Sequence, residues 1–178
     1  MIAEIYYTLL ELGHRKIAFL SAPLEKISYS RKRRLSGVQD ALKSDAKLYV
    51  YDSKNEAELD DKSYELELGH DLTTRILQEE PGITALIAAN DMIAFGVYKV
   101  LREKNIRIPE DVSVCGFDNL QLSELMLPSL TTVDHLTHWR CGLAIDILDN
   151  KISNRLSTPL RVNYEPQLIV RNSTGRAR

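Results

Sequence analysis

Apolar positions along this chain alternate between helical and strand spacing. Ile2, Ile5, Tyr6, Leu9 and Leu12 fall on one face of a helix, and Gly13 supplies the left-handed residue that commonly ends one. Residues 17–20 are a nearly continuous apolar run, the pattern of a strand covered on both faces, and Pro23 closes it. A helix over 29–43 comes next, with Leu35, Val38 and Leu42 as its stripe, then a strand at 48–51, a polar loop over 52–61 and a helix at 66–77. The second half repeats the alternation. Strands are predicted at 84–88, 112–117 and 130–133, with a short helix in the loop 120–128. A helix carries Leu136, Trp139, Leu143, Ala144, Ile147 and Leu148, and strands close the chain at 162–164 and 168–171. Strands alternating with helices of this length predict an α/β fold, a parallel sheet with helices on both faces. Such a sheet normally opens with a strand, whereas Met1 stands directly against a helix, so the chain reads as cut from a longer one.

The stretch 84–118 is the most informative. A strand, a helix through Ile93, Val97, Val100 and Leu101 that Pro109 cannot continue, and a second strand form a βαβ unit of about 30 residues. The two strands must run parallel, which puts Asn90 and Asp118 at the same, carboxyl, edge of the sheet. Ligands of open α/β sheets bind there. Each residue also has a plain structural reading. Asn90 and Asp91 open a helix, so either can cap it while the other points into the crevice. Asp118 in Gly-Phe-Asp-Asn fits a turn, or can accept hydrogen bonds from ligand hydroxyls or a protonated ring nitrogen.

Charge narrows the picture. A formal net charge of −2 and a pI near 6.1 argue against a nucleic-acid surface over much of this chain. No apolar run approaches the roughly 18 residues that a membrane span needs, and the first residues lack the features of a secretory signal, so the expected location is cytoplasmic. Cys115 and Cys141 lie in apolar stretches without CxxC spacing and read as buried free thiols; the four scattered histidines suggest no metal site. Within the basic run 31–34, Lys32 and Arg33 fall on a solvated helix face. Arg34 stands four residues before Val38, on the flank of the buried stripe, with Ser30 one turn earlier. Its planar fork suits a carboxylate, either inside the protein or on a ligand. No nucleotide-binding, nucleophile-elbow or zinc-hydrolase motif is present, so a binding module is expected rather than an enzyme, with no cofactor.

The segments ELGHRKIAFLSAP, RRLSGVQDAL, TALIAANDMIAFGVYKVL, IPEDVSVCGFDN and LPSLTTVDH stand in the order and spacing found in the effector-binding domain of the lactose-repressor and galactose-repressor regulators. The chain resembles that domain as far as its closing LIVRNST. The resemblance implies a type I periplasmic-binding-protein-like fold of two lobes joined by three crossovers. It also implies a homodimer, a sugar or nucleobase-like effector in the cleft, and a helix-turn-helix, absent from this chain, that binds operator DNA. On that layout residues 1–23 and 135–152 are remnants of the N-terminal lobe, and 24–134 with 158–172 form the C-terminal lobe. It also assigns effector contacts to Ser30, Arg34, Asn90 and Asp118, and a stacking role to Tyr64, five residues before Gly69. His135 stands where glutamine is often found, so ligand choice should differ there. Solute-binding proteins of transport systems share this fold and are the alternative.

Overall fold

The computed structural model describes residues 2–24, 29–42, 45–53, 64–153 and 158–178. Four parallel strands, β1 (Lys16–Ser21), β2 (Lys47–Asp52), β3 (Ala85–Ala88) and β4 (Ser113–Cys115), form one sheet in the order β2-β1-β3-β4. Register is regular: Phe19 of β1 lies opposite Val50 on one side and Ile87 on the other, and Ile87 lies opposite Cys115. Every residue of β3 is buried. Successive side chains of a strand point to opposite faces, so both faces of the sheet are covered, as its unbroken apolar run requires.

The cover comes from helices formed where the apolar spacing predicts them. Helix α1 (Ile2–Glu11) buries Ile5, Tyr6, Leu9 and Leu10 and contacts α2 (Tyr29–Asp40). Helix α3 (Tyr64–Glu79) buries Leu68, Leu72 and Ile76 and packs closely on α4 (Asp91–Glu103). The short α5 (Gln121–Leu125) comes after β4, and β5 (Thr132–Asp134) pairs antiparallel with β6 (Gln167–Ile169). A single parallel bridge from Cys115 to Thr131 joins this ribbon to the sheet edge. His14, just beyond α1, ties three segments together: its ring meets the Thr84 hydroxyl at 2.9 Å and the Gly175 carbonyl at 3.0 Å.

β1 sits in the middle of the sheet and pairs with both β2 and β3. Three expectations change. Residues 162–164 form no strand; they are exposed and, among the described residues, pair with no other strand. The last helix, α6 (Thr137–Ile152), forms as its spacing predicts, yet it buries none of its residues, and Trp139, Ile145 and Leu148 are exposed. For the same reason Cys141, on α6, is exposed while Cys115, in β4, is buried. The polar loop falls largely on residues 54–63, outside the described residues.

Candidate ligand-binding site

From β1 the chain steps outward to β2, then crosses back past β1 to β3 and β4. The sheet therefore reverses its direction of growth between β1 and β3, and the carboxyl ends of those strands leave a crevice where ligands of such sheets bind. Residues from four connections meet around it: Arg34 from α2, Ala89 and Asn90 after β3, Phe117 and Asp118 after β4, and His135 after β5.

Arg34 is the hub. Its Nη2 lies 3.2 Å from Asp118 Oδ1, its Nη1 donates to the Ala89 carbonyl, and its guanidinium sits 3.8 Å from the centre of the Phe117 ring. His135 stacks on Phe117 with ring centres 5.6 Å apart, and its Nε2 lies 3.2 Å from the same Asp118 Oδ1. The tautomer follows from a third contact. Arg140 Nη1 stands 2.7 Å from His135 Nδ1, and an arginine can only donate, so Nδ1 accepts and Nε2 is the ring nitrogen that carries the proton. Burial pushes the Asp118 carboxyl above its usual range, against the opposing pull of Arg34 and His135. The same burial pushes the Arg34 guanidinium down, with Asp118 opposing.

The loop that presents Asp118 is held in an uncommon shape. Asp118 and Asn119 have φ of 116° and 50°, a region that L residues other than Asn and Asp seldom visit. Several bonds fix it: Asp118 N–H to the Val133 carbonyl at 3.0 Å, Asn119 Nδ2 to Asp134 at 3.1 Å, and Arg171 Nη2 to Asn119 Oδ1 at 2.8 Å. Residues so over-determined cluster at ligand sites.

Asn90 takes the capping role. Its Oδ1 caps α4 by accepting from Ile93 N–H at 2.9 Å, while its Nδ2 donates to Glu65 Oε2 at 2.7 Å. Glu65 also pairs with Arg31 at 3.2 Å. A cavity of about 670 Å³ is lined by Ser30, Arg34, Phe117, His135, Arg140 and Tyr164, among others. Asn90 and Tyr64 do not line it. Tyr64 opens α3 and is only 7% exposed, so stacking on a ligand would require its ring to leave the core; Phe117 offers an aromatic face on the cavity instead. Asp118 joins the site through its two cationic or proton-donating neighbours.

Four participants escaped the sequence reading in these roles: Glu65, Phe117, Arg140 and Asp91. Asp91 is fully buried and accepts from Ser123 Oγ and Thr132 Oγ1, each at 2.6 Å, and from Leu120 N–H at 2.9 Å. The available signal was an acid opening a helix whose next seven residues are all apolar or glycine, since a buried carboxylate must find donors. Among the described residues no group of three or more His, Cys, Asp or Glu could hold a metal ion, and no helix is long and apolar enough to cross a membrane.

Fold and crevice together define a periplasmic-binding-protein-like domain, and the chain belongs to that family, whose pattern matches residues 7–174. It is 34% identical over 169 residues to the HTH-type transcriptional repressor PurR of Haemophilus influenzae, covering 93% of this chain and 48% of that protein. The repressor of the same name from Mannheimia succiniciproducens is 35% identical over 166 residues, covering 93% and 47%. The chain thus spans about half the length of these relatives. Among solved structures, a LacI-family regulator from Enterococcus faecium with bound ribose superposes with a TM-score of 0.84 at 25% identity, covering 99% of this chain and 63% of that one. A transcriptional regulator from Bacillus cereus subsp. cytotoxis gives 0.82 at 29% identity, covering 99% and 60%.

Proposed function

We propose that this chain is the effector-binding part of a cytoplasmic transcription repressor, which senses a small sugar or nucleobase-like molecule and has no catalytic role. The observation that carries this is the convergence of Arg34, Asp118 and His135 on one carboxylate oxygen at the reversal point of the sheet. Arg34 donates to Oδ1 and His135 stands beside it. Ser30 and Arg34 lie on the cavity wall to donate, and Asn90 braces the crevice through Glu65. Operator DNA is read by another part of such a protein, as the HTH-type relatives about twice as long suggest. Effector affinity then differs between open and closed lobes, and operator affinity changes by the same factor, typically ~1–3 kcal/mol of coupling.

Calorimetry tests the site. Arg34→Ala and Asp118→Ala are each expected to weaken effector binding about 10- to 100-fold, the ~1.5–3 kcal/mol of a hydrogen bond to a charged group. Unchanged affinity in both variants would refute the assignment.

The partner proposed for the opposite part of the surface is a second copy of the chain. Leu122, Leu125 and Leu127 are exposed, the last by 93%, beside an apolar groove lined by Phe95, Tyr98, Ile106, Ile108, Met126 and Pro128. A projecting leucine next to a groove is self-complementary, and a two-fold axis would seat each copy's leucine in the other's groove. Sedimentation should show a dimer that Leu127→Asp converts to monomer. A wild-type monomer at every concentration sinks this reading.

A further inference from the structure

The charge lining the cavity beside Arg34 is unusual for a site that takes neutral sugars or bases. Three guanidiniums, Arg33, Arg34 and Arg140, share its wall, and the acid on that wall is Asp40. Arg34 is spoken for by Asp118. The other two are not paired with carboxylates among the described residues. Arg33 lies over the Tyr29 ring at 5.9 Å, and Arg140 meets the His135 ring nitrogen at 2.7 Å, the His135 carbonyl at 3.3 Å and the Tyr164 ring at 4.9 Å. Neutral acceptors and aromatic faces orient a guanidinium without cancelling its charge.

We infer that this cavity takes a small polar ligand bearing an anionic group, a sugar phosphate or sugar acid, whose charge is read by Arg33 and Arg140. The inference rests on the reading of this cavity as the effector site and adds the ligand's class. Three features support it. The planar fork of arginine matches phosphate and carboxylate oxygens in pairs, and such charge-assisted bonds are roughly twice as strong as neutral ones. Arg33 stands four residues after Tyr29 and four before Gly37 on α2, so one helix stripe offers a guanidinium, a phenol and a gap without a side chain, with Ser36 alongside. The volume of about 670 Å³ also suits a ligand of this size, within the ~300–1,000 Å³ usual for small-molecule sites. Arg140 further links charge reading to the polar grip, because the bond it gives His135 holds the ring that stands 3.2 Å from Asp118. An anion that drew Arg140 away would release that ring, so charge at one end of the ligand is felt at the other.

The test is calorimetry of the purified protein with glucose, glucose 6-phosphate, gluconate and inorganic phosphate at low and high salt. Glucose 6-phosphate or gluconate should bind on the order of tenfold or more tighter than glucose, with an advantage that shrinks as salt rises. The two arms distinguish a phosphate from a carboxylate reader. Arg140→Ala and Arg33→Ala should each cut into that advantage, the double variant should abolish it, and Arg140→Lys should restore part of it. Equal affinity for charged and neutral compounds, no binding of any anionic compound, or an advantage intact in the double variant overturns the inference. Neutral compounds that bind tightly in an Arg34-dependent way would overturn it while leaving the effector-site reading standing. Anion binding that needs Arg33 and Arg140 but tolerates Arg34→Ala and Asp118→Ala would keep the charge reader and remove the effector reading.

Discussion

Asp91→Ala should lower the unfolding free energy by about 3–4 kcal/mol, near the upper end for a single substitution. Asp91 is fully buried at the first position of α4, where the helix N-terminus favours a negative charge. Its carboxylate collects the Leu120 N–H, the Ser123 hydroxyl and the Thr132 hydroxyl, and its own N–H donates to the Phe117 carbonyl at 2.8 Å. Alanine strands three donors in a dry place, each costing about 1–3 kcal/mol if nothing replaces the acceptor. The surroundings are close-packed: a Cβ on Gly116 would come within 2.2 Å of Asp91 Oδ1. Urea unfolding is the measurement: the midpoint should fall with little change in slope. Asp91→Asn separates charge from shape: it keeps the volume and one acceptor for Leu120 and Ser123, and its amide can donate to the Thr132 hydroxyl, so it should lose less stability than Asp91→Ala. Leu120 and Thr132 flank the Asp118 loop, so folded Asp91→Asn protein should also bind effector more weakly. A midpoint equal to wild type in both variants would show that the buried carboxylate is dispensable.

What could be read from the chain beforehand divides along one line. Features set within a few residues were visible. The spacing of Ile93, Val97, Val100 and Leu101 defined α4, and with it the fact that Asn90 and Asp118 end neighbouring parallel strands. Arg34 stood out because its offset from Val38 put a guanidinium at the margin of a buried stripe, and the structure leaves it there, paired with Asp118. Features set by pairing across the chain were hidden. The donors to Asp91 come from 29, 32 and 41 residues further on, and nothing local says which loop folds back to supply them. Apolar runs mark β1 as a strand but not its partners, so its central place became visible only through its register with β2 and β3. Residues 162–164 have the composition of a strand, yet strand preference is largely the fit to a neighbour, and among the described residues they pair with no strand. Glu65 was missed for a smaller reason: α3 begins at Tyr64, two residues before the apolar spacing implies, so its first turn, which reaches Asn90, read as loop.

The same α3–α4 contact yields the second large effect, and it comes from two glycines. The backbones of α3 and α4 touch at Gly69 and Gly96. A Cβ on Gly96 would lie 2.1 Å from the Leu66 carbonyl oxygen and 2.7 Å from His70 N, and one on Gly69 would lie 2.1 Å from the Ile93 carbonyl oxygen. These obstacles are backbone atoms inside helices, so no rotamer change relieves them and the helices must separate. In an exposed helix, alanine for glycine would gain about 0.5–1 kcal/mol in helix propensity. Here the clash should reverse that sign and cost about 3 kcal/mol net, the upper range for overpacking a close-packed interior. The consequence reaches the crevice, because α3 carries Glu65 and α4 is capped by Asn90, whose side chains meet at 2.7 Å across this junction. Gly96→Ala should therefore lower the urea midpoint and also weaken effector binding, although no ligand touches residue 96. Gly142, on the uncovered α6, has nothing within 4 Å of a Cβ and serves as the control: Gly142→Ala should leave stability equal or slightly higher. Equal midpoints for Gly96→Ala and wild type would mean that the helices have room to move apart. In that case Asn90 and Glu65 are not held in place by this crossing, and the bracing of the crevice through α3 fails with it.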